Sequence, residues 1–404
     1  MGKGKTFILS NNWWIEERKA WFVEGLSNIL FCLNLDTNEC EFLKSIPDEN
    51  QSTLLLNPFC VKCGNSVVCL PGYGEYIWIY DLKIQRFFSI NIDNPDKLQL
   101  FFDFWIYGNK IFAVSGELKK ILEIDVETHQ IDNCYTVFEK SGWARSTMSD
   151  NIIYSVSTRT NKIYQFNLET KKAEQKILAG IDKKLYTICA DGKKFWMSGY
   201  GKEIYVWDKE EDRLLTINDF PQDFGIYHFY WTMEEAQGIL DCGSTEYDLP
   251  TFLYSVSAGE YIWFIPFQTN KIIYINKENY ELCTFEIKEE IETEKTLLLA
   301  NRGFGSKYLL EYVEDNRYIG LYSVKNKRIL EIDARNLTYQ WLDYYLGEEC
   351  QIQYGEKKKN VYYEGYTLDR LVYDAKIGNI KENERNINEN TVGEKIYRMT
   401  NISH

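Results

Sequence analysis

Carboxylates are abundant among the side chains that could perform chemistry in this sequence, whereas histidines are scarce. The chain has 60 Asp and Glu residues but only 3 histidines. Hydrolysis of a glycosidic bond needs two carboxyl groups about 5 to 9 Å apart beside aromatic rings. The candidates near aromatic residues are Glu16, Glu17, Asp103, Glu234, Glu235 and Asp241. No spacing rule joins any two of them, so the sequence leaves enzymatic hydrolysis as a hypothesis.

Nucleophilic and metal chemistry have less support. The sequence has no G-x-S-x-G, Walker or G-x-G-x-x-G pattern. Cys60 and Cys63 form a C-x-x-C pair without a second pair, and on a strand these two side chains point to opposite faces. A lyase reaction using Tyr186 or Tyr230 with Arg145 is the remaining acid–base option. We therefore predict no metal, no cofactor and cysteines that are free thiols.

Composition and charge restrict the partners and the compartment. The chain has 404 residues and a formal net charge of −14, which argues against binding the phosphate backbone of a nucleic acid. The segment after the basic residues Lys3 and Lys5 is too short for a signal peptide, and no apolar run reaches the length of a membrane span. We expect a cytoplasmic protein without a membrane association.

A five-residue block with an apolar start and an Asp or Asn at its end recurs along the chain. The blocks are Leu30–Asn34, Ile77–Asp81, Ile121–Asp125, Ile163–Asn167, Ile204–Asp208, Ile272–Asn276, Ile329–Asp333 and Arg370–Asp374. The third and seventh are the identical sequence ILEID. Most blocks are preceded by a turn pair such as Gly108-Asn109 and by a β-branched or aromatic run, so each repeat is predicted to contain four strands.

Repeated four-stranded sheets of about 42 residues must pack face to face to bury both faces, and a closed β-propeller satisfies this requirement. The predicted fold is therefore all-β, a single propeller of four-stranded antiparallel blades. In repeat length and strand order the chain resembles the bacterial propellers of the broad WD40 and kelch type, although their sequence signatures are missing. The aromatic content of 16% is explained mainly by rings that fill the spaces between blades.

Eight blocks favour eight blades, and seven blades are the alternative. The propeller is predicted to occupy residues 1–377, with an inserted hairpin at 219–250 and a polar tail at 378–404. Closure is expected from Thr6 to Leu9 as the outer strand of the final blade. The insertion leaves from the face on which each inner strand begins, so it could bind a ligand, be decorative or contact a second subunit.

A ligand is expected at the end of the central channel where the inner strands begin. The candidate binding residues are Trp13, Trp14, Phe59, Asp103, Trp105, Trp143, Arg145, Tyr186, His228, Tyr230 and Trp231. Loops on the same face add Tyr73, Glu75, Arg159, Tyr200, Lys202, Phe267, Gln268, Tyr366 and Asp369. The leading prediction is a non-catalytic scaffold that binds a protein or peptide partner through these aromatic residues. The alternative is a carbohydrate-active or peptide-modifying enzyme, or a sugar-binding module, with its site in the same place.

Overall fold

The computed structural model describes residues 12–24, 28–47, 57–94, 98–225, 250–267, 269, 271–290, 307–323, 326 and 328–346. Within these residues the chain forms seven four-stranded antiparallel sheets in sequence order, which are the blades of a β-propeller. A fifth strand joins the first sheet. In the described part of the chain, no helix is long and apolar enough to cross a membrane.

Blades 1 to 4 contain the first sixteen strands. Blade 1 has β1 (Trp14–Glu16), β2 (Lys19–Glu24), β3 (Ile29–Asn34) and β4 (Glu39–Ser45). Blade 2 has β5 (Phe59–Cys63), β6 (Ser66–Leu70), β7 (Tyr76–Asp81) and β8 (Arg86–Asn91). Blade 3 has β9 (Asp103–Tyr107), β10 (Lys110–Ser115), β11 (Lys120–Asp125) and β12 (Gln130–Thr136). Blade 4 has β13 (Ala144–Ser149), β14 (Ile152–Ser157), β15 (Lys162–Asn167) and β16 (Ala173–Ile177).

Blades 5 to 7 contain the next twelve strands. Blade 5 has β17 (Leu185–Asp191), β18 (Lys194–Gly199), β19 (Ile204–Asp208) and β20 (Arg213–Ile217). Blade 6 has β21 (Phe252–Ala258), β22 (Tyr261–Pro266), β23 (Ile272–Asn276) and β24 (Leu282–Phe285), followed by a 3-10 helix at Lys288–Glu290. Blade 7 has β25 (Tyr308–Glu314), β26 (Tyr318–Ser323), β27 (Arg328–Asp333) and β28 (Thr338–Leu342). The additional strand is β29 (Tyr345–Leu346).

The Asp or Asn that ends each sequence block has one structural role in all seven described blades. It is the last residue of the third strand, and its side-chain oxygen accepts hydrogen bonds from the backbone N–H groups two and three residues later. The residue four positions later has a positive φ in every case, from Asn38 at 57° to Leu337 at 53°. Short carboxylate and amide side chains stabilise such turns, so the recurrence marks the hairpin between the third and fourth strands.

Blade 3 carries a buried carboxylate that links it to blade 4. Glu123 accepts hydrogen bonds from the Tyr135 hydroxyl at 2.6 Å, from Lys110 Nζ at 3.1 Å and, from the next blade, from Lys171 Nζ at 3.3 Å. Burial by itself would raise the pKa of Glu123, but these hydrogen bonds lower it to about 2. The identical block in blade 7 places Glu331 at the equivalent position, where it accepts from the Tyr312 hydroxyl at 2.6 Å.

The ring closes between blade 7 and blade 1. The Trp13 N–H donates to the Glu311 carbonyl at 2.7 Å, and Arg18 forms an ion pair with Glu314 at 3.2 Å. The Trp13 ring stacks on Tyr312 of blade 7, with ring centroids 5.5 Å apart. Beyond blade 7, β29 pairs in parallel with β4 on the outer edge of blade 1.

The preference for eight blades is therefore wrong, and the structure has seven. Direct contact between blade 7 and blade 1 leaves no gap for another blade. The eighth block, Arg370–Asp374, lies outside the described residues, as do Thr6 to Leu9, most of the 219–250 insertion and the 378–404 tail. The closing strand that is described comes instead from the end of the propeller, as β29 on blade 1.

The turn after β11 predicts a measurable contribution to stability. Asp125→Ala should lower the free energy of unfolding by about 1 kcal/mol, because two backbone N–H groups lose their acceptor. Asp125→Asn is the control and should be nearly neutral, since three blades use Asn at this position. Urea unfolding measures both variants, and equal loss in the two would contradict the role of the side-chain oxygen.

The pKa of Glu123 predicts part of the acid sensitivity of the fold. A carboxyl whose pKa is lowered by folding stabilises the protein above its ordinary pKa of 4.5, and this contribution disappears as the pH falls towards 2. Glu123→Gln should therefore be less stable than the native chain by about 2 to 3 kcal/mol at pH 7, and the difference should shrink towards pH 2. Unfolding free energies measured from pH 7 to pH 2.5 test this, and a difference independent of pH would refute it.

Candidate functional site

The channel mouth is the end of the central channel at which the inner strands β1, β5, β9, β13, β17, β21 and β25 begin. These strands are aligned by counting residues back from the first hairpin turn of each blade. The fifth residue before that turn is Phe59 in blade 2, Asp103 in blade 3, Arg145 in blade 4, Thr187 in blade 5 and Tyr254 in blade 6. The fold therefore brings an aspartate, an arginine and a tyrosine to the same level of the channel.

Arg145 is the centre of this arrangement. Its side chain is 7% exposed, and its guanidinium carbon lies 4.2 Å from the centroid of the Tyr254 ring. The corresponding distances are 5.0 Å to Phe102 and 5.7 Å to Tyr186. These rings come from blades 6, 3 and 5, so one cation holds side chains from three other blades by cation–π contacts. We call Arg145, Asp103, Phe102, Tyr186 and Tyr254 the central cluster.

Asp103 neutralises this cation and ties blade 3 to blade 4. Arg145 Nη1 donates to Asp103 Oδ1 at 3.3 Å and to the Phe102 carbonyl at 3.2 Å. The other carboxylate oxygen accepts from the backbone N–H of Ser146 at 2.6 Å. Burial raises the pKa of Asp103 above its usual range, while Arg145 and Ser146 act to lower it.

The tyrosines of the cluster are protonated at neutral pH. Burial, opposed by the neighbouring guanidinium of Arg145, raises the pKa of Tyr186 to about 12. The pKa of Tyr254 is also raised, again mainly by burial. At neutral pH both hydroxyls keep their protons, so neither tyrosine can abstract a proton from a substrate without a large change in its surroundings.

Partly exposed aromatic rings lie beside the central cluster. All five residues of β9 are partly exposed, including Phe104 and Trp105. The Trp14 ring of blade 1 lies 6.3 Å from that of Phe104, although blade 2 separates the two blades in sequence. The Trp143 ring lies 5.7 Å from Phe102. Partly exposed rings thus lie at the level of the fixed charged centre and just below it, and we call Trp14, Phe104, Trp105 and Trp143 the rim.

The predicted site residues divide into buried residues, partly exposed residues and residues that lie outside the described part of the chain. Trp13, Phe59 and Tyr186 are buried, with Trp13 packed in the seam between blades 1 and 7. Arg145 is buried at the centre, while Asp103, Trp14, Trp105 and Trp143 are partly exposed. His228, Tyr230 and Trp231 lie outside the described residues, together with Glu234, Glu235 and Asp241.

Sequence reasoning missed Phe102 and Tyr254, which make two of the three ring contacts to Arg145. Counting forward from each strand start passes over Phe102, because it precedes β9 by one residue. The long insertion before blade 6 hides the start of β21. Counting five residues back from the turn at Gly259, which has a φ of 61°, would have identified Tyr254.

Carboxylates do not converge in the described part of the mouth in the way that hydrolysis would require. Glu16 forms an ion pair with Lys62 at the other end of the inner strands, and Asp103 is already bound by Arg145 and Ser146. Cys60 and Cys63 are free thiols on β5. Among the described residues, no group of three or more His, Cys, Asp or Glu side chains could hold a metal ion.

Neither a protein-family model nor a curated protein matches the sequence. Solved structures do match the fold. A virginiamycin B lyase from Staphylococcus aureus has a TM-score of 0.56 and 14% identity, over 80% of this chain and 94% of that one. A streptogramin B lyase gives 0.56 and 12%, over 84% and 97%. A chain of a mitotic checkpoint complex gives 0.55 and 10%, over 84% and 90%. At these identities the likeness shows only that the chain is a β-propeller.

The central cluster predicts a strong dependence of stability on Arg145. Arg145→Met should lower the free energy of unfolding by about 3 kcal/mol, because Asp103, whose side chain is only 20% exposed, would lose its counter-charge. Combining it with Asp103→Asn should restore part of the loss. Urea unfolding of the two single variants and the double variant tests this. A double variant less stable than Arg145→Met would contradict the coupling.

Proposed function

We propose that the channel mouth binds a protein or peptide partner and performs no catalysis. The observation that carries this proposal is the rim of partly exposed rings beside the central cluster. Its members are Trp14, Phe104, Trp105 and Trp143. Large aromatic side chains are enriched at the centres of protein interfaces, where they supply most of the binding energy.

The rim is held in place before a partner arrives. Trp105 donates its indole N–H to Ser146 Oγ at 2.8 Å, which fixes one ring against blade 4. The Trp143 carbonyl accepts from the Thr158 N–H at 2.9 Å, which fixes the backbone of the second ring. Rings that are already ordered lose little conformational entropy on binding, and this supports a recognition surface.

The polar groups of the mouth favour binding over catalysis. The charges of Arg145 and Asp103 satisfy each other, and the Tyr186 hydroxyl has a pKa of about 12. An acid–base mechanism needs a group that can exchange a proton near neutral pH. The central cluster is better suited to fixing the shape of the mouth than to proton transfer.

An enzyme or sugar-binding module acting through the same rings is the alternative. Aromatic rings could stack on a sugar, but hydrolysis would also need two free carboxyls within reach of one bond. Turnover and binding are separable by experiment, because a binding module retains its ligand unchanged, whereas an enzyme releases product that mass spectrometry detects.

The rim predicts which substitutions abolish partner binding. A partner is first recovered from a native lysate and identified by mass spectrometry. Trp143→Ala and Trp105→Ala should each lower its affinity by roughly 30-fold, the loss typical of a central interface tryptophan. Trp341→Ala is the matched control, since Trp341 is a partly buried tryptophan on the outer strand β28. Titration calorimetry with the purified partner gives the affinities. Equal affinity for the native chain and both mouth variants would overturn the proposal.

A further inference from the structure

The loops around the channel mouth in blades 3 to 5 carry exposed positive charge, although the whole chain has a net charge of −14. These loops join the second to the third strand of a blade, or one blade to the next. Their exposed basic residues, together with the first residue of β11, are Lys119, Lys120, Lys140, Arg159, Lys184 and Lys202. We call these six residues the basic arc.

Hydrogen bonds between the loops make the basic arc one continuous surface. Arg159 Nε donates to the Ser141 carbonyl at 3.2 Å, which joins a blade 4 loop to the connection from blade 3. The Gly142 N–H donates to the Gly116 carbonyl at 3.3 Å, and the Leu185 N–H donates to the Thr160 carbonyl at 3.2 Å. The loops of Lys119, Lys140, Arg159 and Lys184 are therefore bonded to one another. The ion pair of Lys183 with Glu203 connects the loop of Lys202 to them.

Much of the acidic charge in the same loops is already compensated. Glu203 pairs with Lys183 at 2.6 Å, and Glu139 pairs with Lys162 at 2.7 Å. The lysines of these two pairs are not members of the basic arc. The arc consequently contributes a surplus of positive charge beside Trp143 and Tyr200, both of which are partly exposed.

We propose that the partner of the channel mouth presents an acidic segment with an aromatic or aliphatic side chain, whose carboxylates lie on the basic arc. This inference rests on the proposed function, because it specifies the chemistry of the partner that binds there. Surface charges act mainly within a Debye length of about 8 to 10 Å, so the local arc, rather than the net charge, meets the segment. Complementary charge would speed association, while the rings would supply affinity.

A peptide fits the arc better than a nucleic acid. Asp182 is exposed among the basic residues, and Glu117 is partly exposed there. A phosphate backbone places negative charge at every nucleotide and would meet these carboxylates. A peptide with spaced acidic residues can place a neutral residue opposite each of them.

The test selects peptides from a random 12-residue library displayed on phage, with the full-length chain immobilised. Selection is repeated on two triple variants that change the net charge equally. The mouth variant is Lys140→Glu, Arg159→Glu and Lys184→Glu. The control variant is Lys83→Glu, Lys172→Glu and Arg335→Glu, whose residues are exposed in turns at the opposite face. The most enriched peptide is then synthesised with a fluorescent label, and a second version has Gln and Asn in place of Glu and Asp.

The expected result is enrichment of acidic peptides with an apolar anchor on the native chain and on the control variant. The labelled acidic peptide should associate roughly tenfold more slowly with the mouth variant at low salt. If the selection instead enriches neutral or basic peptides, and Trp143→Ala abolishes their binding, the acidic partner is overturned but the proposed function is kept. Peptides that bind the Trp143→Ala variant and the mouth variant with the same affinity as the native chain would overturn both the acidic partner and the proposed function. A labelled 20-nucleotide oligothymidine is the alternative ligand. If it bound the native chain more tightly than the acidic peptide, and if only the mouth variant weakened its binding, the arc would be assigned to a nucleic acid instead.

Discussion

The contact of the Arg145 guanidinium with rings from three other blades is the interaction on which the channel mouth depends. The inner strands of a propeller have no partner strand on their channel side, so only side chains can connect blades across the channel. Arg145 connects blade 4 to Tyr254 of blade 6 through a distance of 4.2 Å. Asp103 makes this possible in a buried position, because an isolated cation there would cost several kcal/mol.

Charged side chains between other blades are likewise paired with nearby groups of opposite charge. Glu123 is surrounded by two lysines and a tyrosine hydroxyl. At the seam, Arg18 and Glu314 join the first and last blades. Such pairs add little net stability where solvent reaches them, as at Arg18, whereas the buried carboxylate of Glu123 needs its partners because a mismatch would leave its charge unpaired.

The two faces of the propeller differ in how the chain is built. One face consists of short hairpin turns, and those between the third and fourth strands are all fixed by the same Asp or Asn geometry. The other face holds the loops that vary in length between blades, and there the aromatic rim and the basic arc lie side by side. A constant turn face lets the opposite loops change without loss of the scaffold, and binding is expected where the loops vary.

The sequence by itself determined the repeating elements. In blade 3 the sequence predicts strands at Phe104 to Tyr107, Lys110 to Ser115, Ile121 to Val126 and Ile131 to Val137, and these match the observed strands to within about one residue. The recurring Asp or Asn marks every described third strand, because turn chemistry is local. The number of blades and the contacts of Arg145 were decided only by the tertiary structure. Ring closure depends on how blade 7 meets Trp13, and Tyr254 reaches Arg145 from a blade more than 100 residues away in the chain. Neither contact is encoded in a pattern of neighbouring residues, since both arise from the packing of all seven blades around one axis.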